Sequence, residues 1–295
     1  MPQNRKFYFI INPISGGSSK TEIVNKISEL MNENQIIFDI GWWEKDITVK
    51  QLIEKGSNSG FNSFVAVGGD GTINNVAVEI VNTDKILGIV PFGSGNGFAR
   101  HLAIKGHLSD YLNILVNGKI KKIDSGICNG KHFFINIAGV GFDAHVSHLF
   151  AKSHGRGMSN YAKLSLIEGR TYCEQEYELE IDGKKHHETA FLISIANGSQ
   201  WGNEFYIAPD AELNDGQLRC CILKKPPLIA LPGLIRRFLT GEIAESKYYK
   251  DIPFTSLVIK RKTDGPVHFD GEPLILGNTL NFTVNKNSVN VICVE

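Results

Sequence analysis

An α/β domain with a parallel sheet, followed by a mostly antiparallel β domain, is the fold class that the sequence predicts, and three observations predict it. The first third of the chain alternates short β-like runs with helical stretches joined by polar or glycine-rich loops, the texture of a parallel sheet with helices on its faces. After about Asp124 the texture changes to successive runs rich in Val, Ile, Phe and Thr, separated by turn residues, as antiparallel sheets require. A length of 295 residues gives two domains at ~150 residues each, and the change of texture puts them at 1–124 and 125–295.

In the first domain Phe7 to Ile11 is a strand, followed by the loop Asn12-Pro13-Ile14-Ser15-Gly16-Gly17 and a helix from about Lys20 to Met31. Ile36 to Ile40 is a second strand. Phe64 to Val67 is a third, and Gly68-Gly69-Asp70-Gly71 leads from it into a helix through Ile73, Val76, Ala77 and Ile80. Ile86 to Val90 is a fourth, followed by Pro91 to Gly97 and a helix through Phe98 and Leu102. In the second domain strands are expected at Lys131 to Ile137, Tyr177 to Asp182, Ala190 to Ala196, Leu218 to Leu223, Ser256 to Lys262, Val267 to Phe269, Leu280 to Val284 and Val289 to Val294. Helices are expected near Tyr161 to Gly169 and Leu228 to Phe238. The latter, with Arg236 and Arg237, is amphipathic enough to touch a membrane, but such helices more often pack on their own domain, and it is assigned to the core.

Composition excludes several function classes. Hydrophobic residues make up 42% and charged residues 21%, as in ordinary globular proteins. Lys plus Arg equals Asp plus Glu at 31 each, so no global charge draws the chain to nucleic acid or an anionic membrane. Five cysteines, with no C-x-x-C and with Cys220 and Cys221 adjacent in a strand-like run, argue against a disulfide framework or a zinc site and for a reducing compartment. The apolar run at Phe7 is too short for a signal peptide, and no run reaches the ~18 residues of a membrane span. A cytoplasmic location is expected, and transient attachment to a membrane is compatible with it.

The chemistry lies in three loops. In a parallel α/β sheet the loops that follow the strands gather at one edge, where ligands bind. Here Asn12 to Gly17, Gly68 to Gly71 and Gly93 to Gly97 occupy such positions. Glycine lets a backbone approach a ligand closely, and successive amides at a helix N-terminus make an anion nest. A single such loop is ordinary turn chemistry. Three together, one with a central Asp and one with Ser-x-Asn, point to a phosphate-bearing nucleotide. No G-x-x-x-x-G-K-[ST], no G-x-G-x-x-G and no protein-kinase H-R-D or D-F-G is present, so the usual nucleotide folds are excluded.

The run Gly68-Gly69-Asp70-Gly71-Thr72-Ile73-Asn74 resembles the GGDGT motif of the diacylglycerol kinase catalytic family, which includes sphingosine kinases and bacterial lipid kinases; NAD kinases share a more distant version. The resemblance continues in order through Asn12-Pro13 with Ser15-Gly16, Pro91 to Gly97, Phe134 to Asp143, Ala208-Pro209 through Leu213-Asn214-Asp215-Gly216, and Asp270-Gly271-Glu272-Pro273. It implies an NAD kinase/diacylglycerol kinase-like fold with nucleotide in the cleft between the α/β domain and the β-rich domain. It implies ATP on Gly68, Gly69, Asp70, Gly71, Thr72, Ile73, Asn74, Ser94, Gly95 and Asn96, with Asn12, Ser15 and Gly16 near the phosphates. Glu272 matches the family's proton acceptor, with Asp270 a close competitor; in the sphingosine kinase branch the base would be Asp70. Glu212, Asp215 and the backbone carbonyl of Gln217 match a magnesium site of bacterial members, structural rather than catalytic. The implied partner is a lipid at a membrane surface, with no nucleic acid, no transmembrane segment and room for a homodimer.

Two residues depart from the family pattern. Asn75 stands where Glu is usual, and Trp42 where a nucleotide-contacting Thr or Ser is common, with Thr48 nearby. Asp270-Gly271 also reads as a favoured hairpin turn, and Asn214-Asp215-Gly216 as a polar turn. If Asp270 and Glu272 lie in a strand, residues two apart share a face and both carboxylates serve one site. Asp143 either faces the site or caps the following helix. His186 and His187 are expected on an exposed turn, and His101 and His145 to be incidental. The reading that follows is an ATP- and magnesium-dependent kinase acting on the hydroxyl of a diacylglycerol-like or sphingoid lipid. An NAD kinase-like phosphotransferase and an inactive nucleotide-binding regulator are the alternatives.

Overall fold

The computed structural model describes residues 5–15, 20–153 and 158–294. The chain forms two compact units, one of Met1–Ile123 with Asn287–Glu295, the other of Asp124–Lys286.

The first unit is built on a parallel sheet. Its elements run β1 (Phe7–Ile11), α1 (Lys20–Glu33), β2 (Phe38–Trp42), α2 (Val49–Asn58), β3 (Ser63–Gly68), α3 (Asp70–Ile80), β4 (Ile86–Pro91), α4 (Gly97–His101) and α5 (Leu108–Asn117). The strand order is β2-β1-β3-β4, every pair parallel. β1, β3 and β4 are buried along their whole length, as strands with helices on both faces must be. On α1, Ile23, Ile27, Leu30 and Met31 turn inward at helical spacing and join Phe7, Phe9 and Val65 in the core. α2 starts at a capping box in which Thr48 Oγ1 accepts from Gln51 N and Gln51 Oε1 accepts from Thr48 N. The hydroxyl of Thr48 therefore serves the helix.

The second unit is a sandwich of antiparallel sheets. Strand β5 (Lys119–Cys128) leads into it, followed by β6 (His132–Phe134), β7 (Ile137–Gly141), α6 (Phe142–Lys152), α7 (Met158–Thr171), β8 (Gln175–Ile181), β9 (Lys184–Ala190), β10 (Leu192–Ala196), β11 (Leu218–Leu223), α8 (Leu231–Thr240), β12 (Tyr249–Phe254), β13 (Ser256–Arg261), β14 (Gly265–Phe269), β15 (Glu272–Leu276) and β16 (Thr279–Cys293). One sheet has the order β12-β11-β10-β7-β14-β15, antiparallel throughout. In the other, β16, β13, β8 and β9 follow one another, also antiparallel. Val140, Ile193, Ile195 and Val267 of the first sheet pack with Leu179, Ile259, Leu280 and Phe282 of the second, the inner faces of a sandwich. α8 covers the outer face of the six-stranded sheet through Leu234 and Phe238.

β16 is one continuous strand where the sequence suggests two. Asn287, in its middle, takes a φ of 50°, and the residues beyond belong to the first unit, where Asn290 and Val291 pair in parallel with Ile86 and Leu87 of β4. His186 and His187 lie in β9; the adjoining turn is Asp182-Gly183, at positive φ.

Candidate functional site

In the first unit the three glycine-bearing loops leave neighbouring strands at the same edge. Ile11 of β1 is level with Val67 of β3, and Gly68 of β3 with Pro91 of β4. Side chains then tie the loops to one another. Asn12 Nδ2 donates to Thr72 Oγ1 at 3.0 Å, while Asn12 Oδ1 accepts from Ile14 N at 3.1 Å. The Ser15 hydroxyl donates to the Asn12 carbonyl. Asn12 thus braces the first loop against the start of α3. Gly16 lies outside the described residues.

The loops after β3 and β4 meet at two glycines. A Cβ on Gly93 would stand 2.7 Å from Gly69 Cα and 2.6 Å from Asn96 Oδ1. The Gly93–Asn96 loop is closed by one side chain: Asn96 Oδ1 accepts from Gly93 N at 2.8 Å and Asn96 Nδ2 donates to Gly93 O at 2.9 Å. Asn96 itself is left-handed, at φ 51°, which asparagine tolerates better than most residues. Ser94 is left exposed at the tip, with Gly95 half-buried. Gly93→Ala is expected to force the two loops apart and to destabilise the first unit by about 1–3 kcal/mol, the usual cost of overpacking, measured as an earlier unfolding midpoint in urea; an unchanged midpoint would show that the loops absorb the added methyl without strain.

Asp70 opens α3 and is half-buried. Burial pushes its carboxyl above the usual range, against the backbone amides of Phe98, Gly97 and Asn96 and its own, which donate to it and favour the charged form. The Phe98 N–H reaches Asp70 Oδ1 at 3.3 Å. Asp70 is therefore a clasp between the loop after β3 and the start of α4. Thr72, Ile73 and Asn74 form the first turns of α3; Thr72 and Ile73 are buried, and Asn74 Oδ1 is enclosed without a hydrogen-bond partner. Asn75 turns back to donate to the Gly71 carbonyl at 2.8 Å, and Trp42 packs at the edge of the core. Burial holds His101 down to about 4, so its imidazole is neutral near pH 7.

In the second unit Asp270 and Gly271 form the two-residue turn between β14 and β15, at φ 49° and 90°, the left-handed pair that such hairpins demand. Asp270 is thus in the turn and not in a strand, so strand alternation does not aim it with Glu272. Its carboxylate is gripped by three consecutive amides: Ile135 N donates to Oδ2 at 2.8 Å, and Asn136 N and Ile137 N donate to Oδ1 at 2.9 and 2.8 Å. Its own N–H donates to the Ile137 carbonyl. Glu272 stands exposed at the first position of β15.

Glu212 and Asp215 are both exposed on the loop before β11. Asp215 Oδ1 accepts from Gln217 N at 2.9 Å. A residue absent from the sequence-based candidates organises this loop: Asp124, fully buried, accepts from Gly216 N at 2.7 Å and donates its own N–H to the Leu213 carbonyl. Asn197, equally buried, donates to the carbonyls of Asp124 and Ile135. The only hint in the sequence is a carboxylate within the apolar part of β5. No group of three or more His, Cys, Asp or Glu side chains is placed to hold a metal among the described residues.

Asp143 does not stand at the N-cap of α6, a position that Gly141 occupies. Buried in the first turn of α6, it accepts from the Ala144 amide and the Ser194 hydroxyl, and its Oδ2 lies 3.2 Å from His268 Nε2. His145 pairs with Glu168 at 2.8 Å and packs on Tyr172, a contact that joins α6 to α7.

A model of the family described as "Diacylglycerol kinase catalytic domain" matches residues 6–128. One described as "YegS C-terminal NAD kinase beta sandwich-like domain" matches residues 136–293, more than half of the chain. Two similar proteins are named "Probable lipid kinase YegS-like". The one from Pectobacterium atrosepticum is 29% identical over 282 residues, 93% of this chain and 91% of its own. The one from Yersinia enterocolitica is 28% identical over 286 residues, 95% of this chain and 94% of its own. A crystal structure of a diacylglycerol kinase from Bacillus anthracis has the same fold, with a TM-score of 0.78 at 20% identity, covering 98% of this chain and 97% of that one.

Proposed function

The chain belongs to the family that joins a diacylglycerol kinase catalytic domain to a YegS-type β-sandwich domain, and from that premise we propose that it is a lipid kinase transferring the γ-phosphate of ATP to the hydroxyl of a diacylglycerol-like or sphingoid lipid. The observation that carries the nucleotide half of this reading is the clasp of loops in the first unit. Three loops on adjacent parallel strands are braced by Asn12 on Thr72, by Asp70 on the amides of residues 96–98, and by the contact of Gly69 with Gly93. Amides at the N-terminus of α3 and an exposed Ser94 are what phosphates need. The lipid half is supported by the family and by the relatives' names.

In phosphoryl transfer the protein's task is positioning, charge neutralisation and acceptance of a proton. Here Gly68 to Asn74, with Ser94, Gly95 and Asn96, would hold the nucleotide, and Asn12, Ser15 and Gly16 would lie by its phosphates. Asp70 acts by holding two of these loops together, as a positioning residue. Glu272 takes the proton of the acceptor hydroxyl at a carboxylate oxygen; Asp270, whose oxygens are committed to three amides, sets the turn that presents Glu272.

The loop of Glu212, Asp215 and Gln217 fits a magnesium ion. Its donors are all hard oxygens, and Asp215 Oδ2 remains once Oδ1 has taken the Gln217 amide; two carboxylates and a carbonyl suit magnesium with retained waters. Bound there, magnesium would supply positive charge to a loop that Asp124 already shapes from within.

The test is transfer of labelled γ-phosphate from ATP with magnesium to a panel of diacylglycerol, sphingosine, monoacylglycerol, phosphatidylglycerol and NAD. A labelled lipid is the expected result. Label on NAD alone would move the chain to NAD-kinase chemistry, and ATP binding without any transfer would make it a regulator.

A further inference from the structure

Among the described residues, half of the large apolar side chains that the second unit exposes lie on one short segment. Leu228 is 75% exposed and Ile229 91%, in the helical turn that precedes α8, and Ile235 and Leu239 are exposed on α8 itself. Leu234 and Phe238, on the other side, are buried among Ile207, Leu223 and Tyr249. The sequence assigns this helix to the core; the structure buries one stripe and leaves a second, Leu228, Pro232, Ile235 and Leu239 at three- and four-residue spacing, facing outward. The buried stripe suffices to anchor the helix, so folding gives no reason for the outer one. Exposed apolar patches of this kind mark binding surfaces.

The charge around the stripe says what it binds. Residues 224–240 contain two Lys and two Arg and no Asp or Glu, in a chain whose charges balance at 31 each. Lys224 and Arg236 are exposed. Arg236 and Arg237 reach Glu242 and Glu245 at the far end of α8, through exposed pairs that hold little energy. Lys225 fastens the segment to the end of α7: its Nζ donates to the Tyr172 carbonyl at 2.6 Å and its N–H to Glu174 Oε1 at 2.8 Å. α7 in turn exposes Leu166 and Ile167. A second copy of the chain is a poor occupant, because a two-fold contact would set this basic segment against itself. A protein partner is also disfavoured, since the stripe has no exposed Trp or Tyr to act as an anchor.

We propose that Leu228, Ile229, Pro232, Ile235 and Leu239 dock the protein on an anionic lipid bilayer, with α8 lying in the interface and Lys224 and Arg236 at the headgroups. This is how an amphipathic helix with basic flanks binds a membrane surface. The proposal rests on the lipid-kinase reading for its purpose, since a lipid acceptor has to be met in a bilayer, but the docking is tested without phosphoryl transfer.

The experiment is co-sedimentation of the full chain with phosphatidylcholine vesicles, with and without phosphatidylglycerol. The wild type is expected to pellet with the anionic vesicles and less with the neutral ones. Leu228→Glu with Ile229→Glu should lower the partition about a hundredfold, roughly tenfold for each side chain withdrawn from the lipid. Both positions are solvent-facing, so the fold is kept, and transfer to dispersed short-chain diacylglycerol should be retained. Lys224→Gln with Arg236→Gln should lower binding to the anionic vesicles only. Wild type that stays in solution with both vesicles, or a double glutamate variant that pellets like wild type, overturns the proposal. So does a double glutamate variant that turns a dimer into a monomer while vesicle binding persists. Loss of vesicle binding in that variant, from a protein that phosphorylates no lipid, supports the docking and sinks the kinase reading alone.

Discussion

Asp270→Asn is expected to destabilise the second unit by roughly 3 kcal/mol, seen as an earlier unfolding midpoint in urea, before any effect on catalysis is considered. The carboxylate takes three amides, two on Oδ1 and one on Oδ2. An asparagine presents one carbonyl oxygen and one NH₂, so at least one amide would face a donor. Hydrogen bonds to a charged acceptor contribute about 1.5–3 kcal/mol each, and an amide left unpaired costs a similar amount. Asparagine keeps the left-handed φ of 49° tolerable; Asp270→Ala adds a cost of about 1–2 kcal/mol for a residue poorly suited to that conformation. An asparagine variant with an unchanged midpoint and no activity would reverse the assignment and make Asp270 the base.

Glu272→Gln is the complement: a loss of kcat of about 10²–10⁴-fold, the usual contribution of a positioned proton acceptor, with stability within about 0.5 kcal/mol of wild type, as for surface changes. Glu272 is exposed at the start of β15, and glutamine preserves its size while removing the carboxylate proposed as the proton acceptor. The KM for the lipid should stay near its wild-type value, because the group acts on the proton in the transition state and not in binding. Steady-state kinetics beside a urea titration checks both halves. Full turnover in Glu272→Gln would withdraw the role of base from this residue.

Much of the first unit was legible because its signals are local. Phe7 to Ile11 reads as a strand since all five residues are apolar, and the loops announce themselves through Gly68-Gly69-Asp70-Gly71 and Gly93 to Gly97. α2 escaped notice because its buried side, Val49, Leu52, Ile53 and Gly56, is diluted by Lys, Gln, Glu, Ser and Asn. β9 (Lys184–Ala190) escaped for a different reason: its only apolar residue is its last, and it is held by pairing with β8. In the candidate site, residue types could be read but their partners could not. The turn at Asp270-Gly271 follows from a dipeptide, whereas the amides of residues 135–137 that hold its carboxylate lie more than 130 residues earlier. Asp124 was invisible for the same reason, since its meaning depends on Gly216, 92 positions away. The apolar content of α8 was plain, but which half of it meets protein is decided by the sheet beneath.

The passage of β16 from one unit to the other bears on the order in which the protein is made. The first 123 residues leave the ribosome with four of the parallel strands, but the stretch that pairs with β4 arrives only with residues 290 and 291. Until then β4 presents an open edge, and open edges recruit stray strands. Nascent chains usually complete their domains in order from the N-terminus; here the first unit cannot close its sheet until the whole second unit has been synthesised. A truncated chain therefore loses the closing strand of its first unit, and damage near the C-terminus is felt in the fold that begins at Phe7.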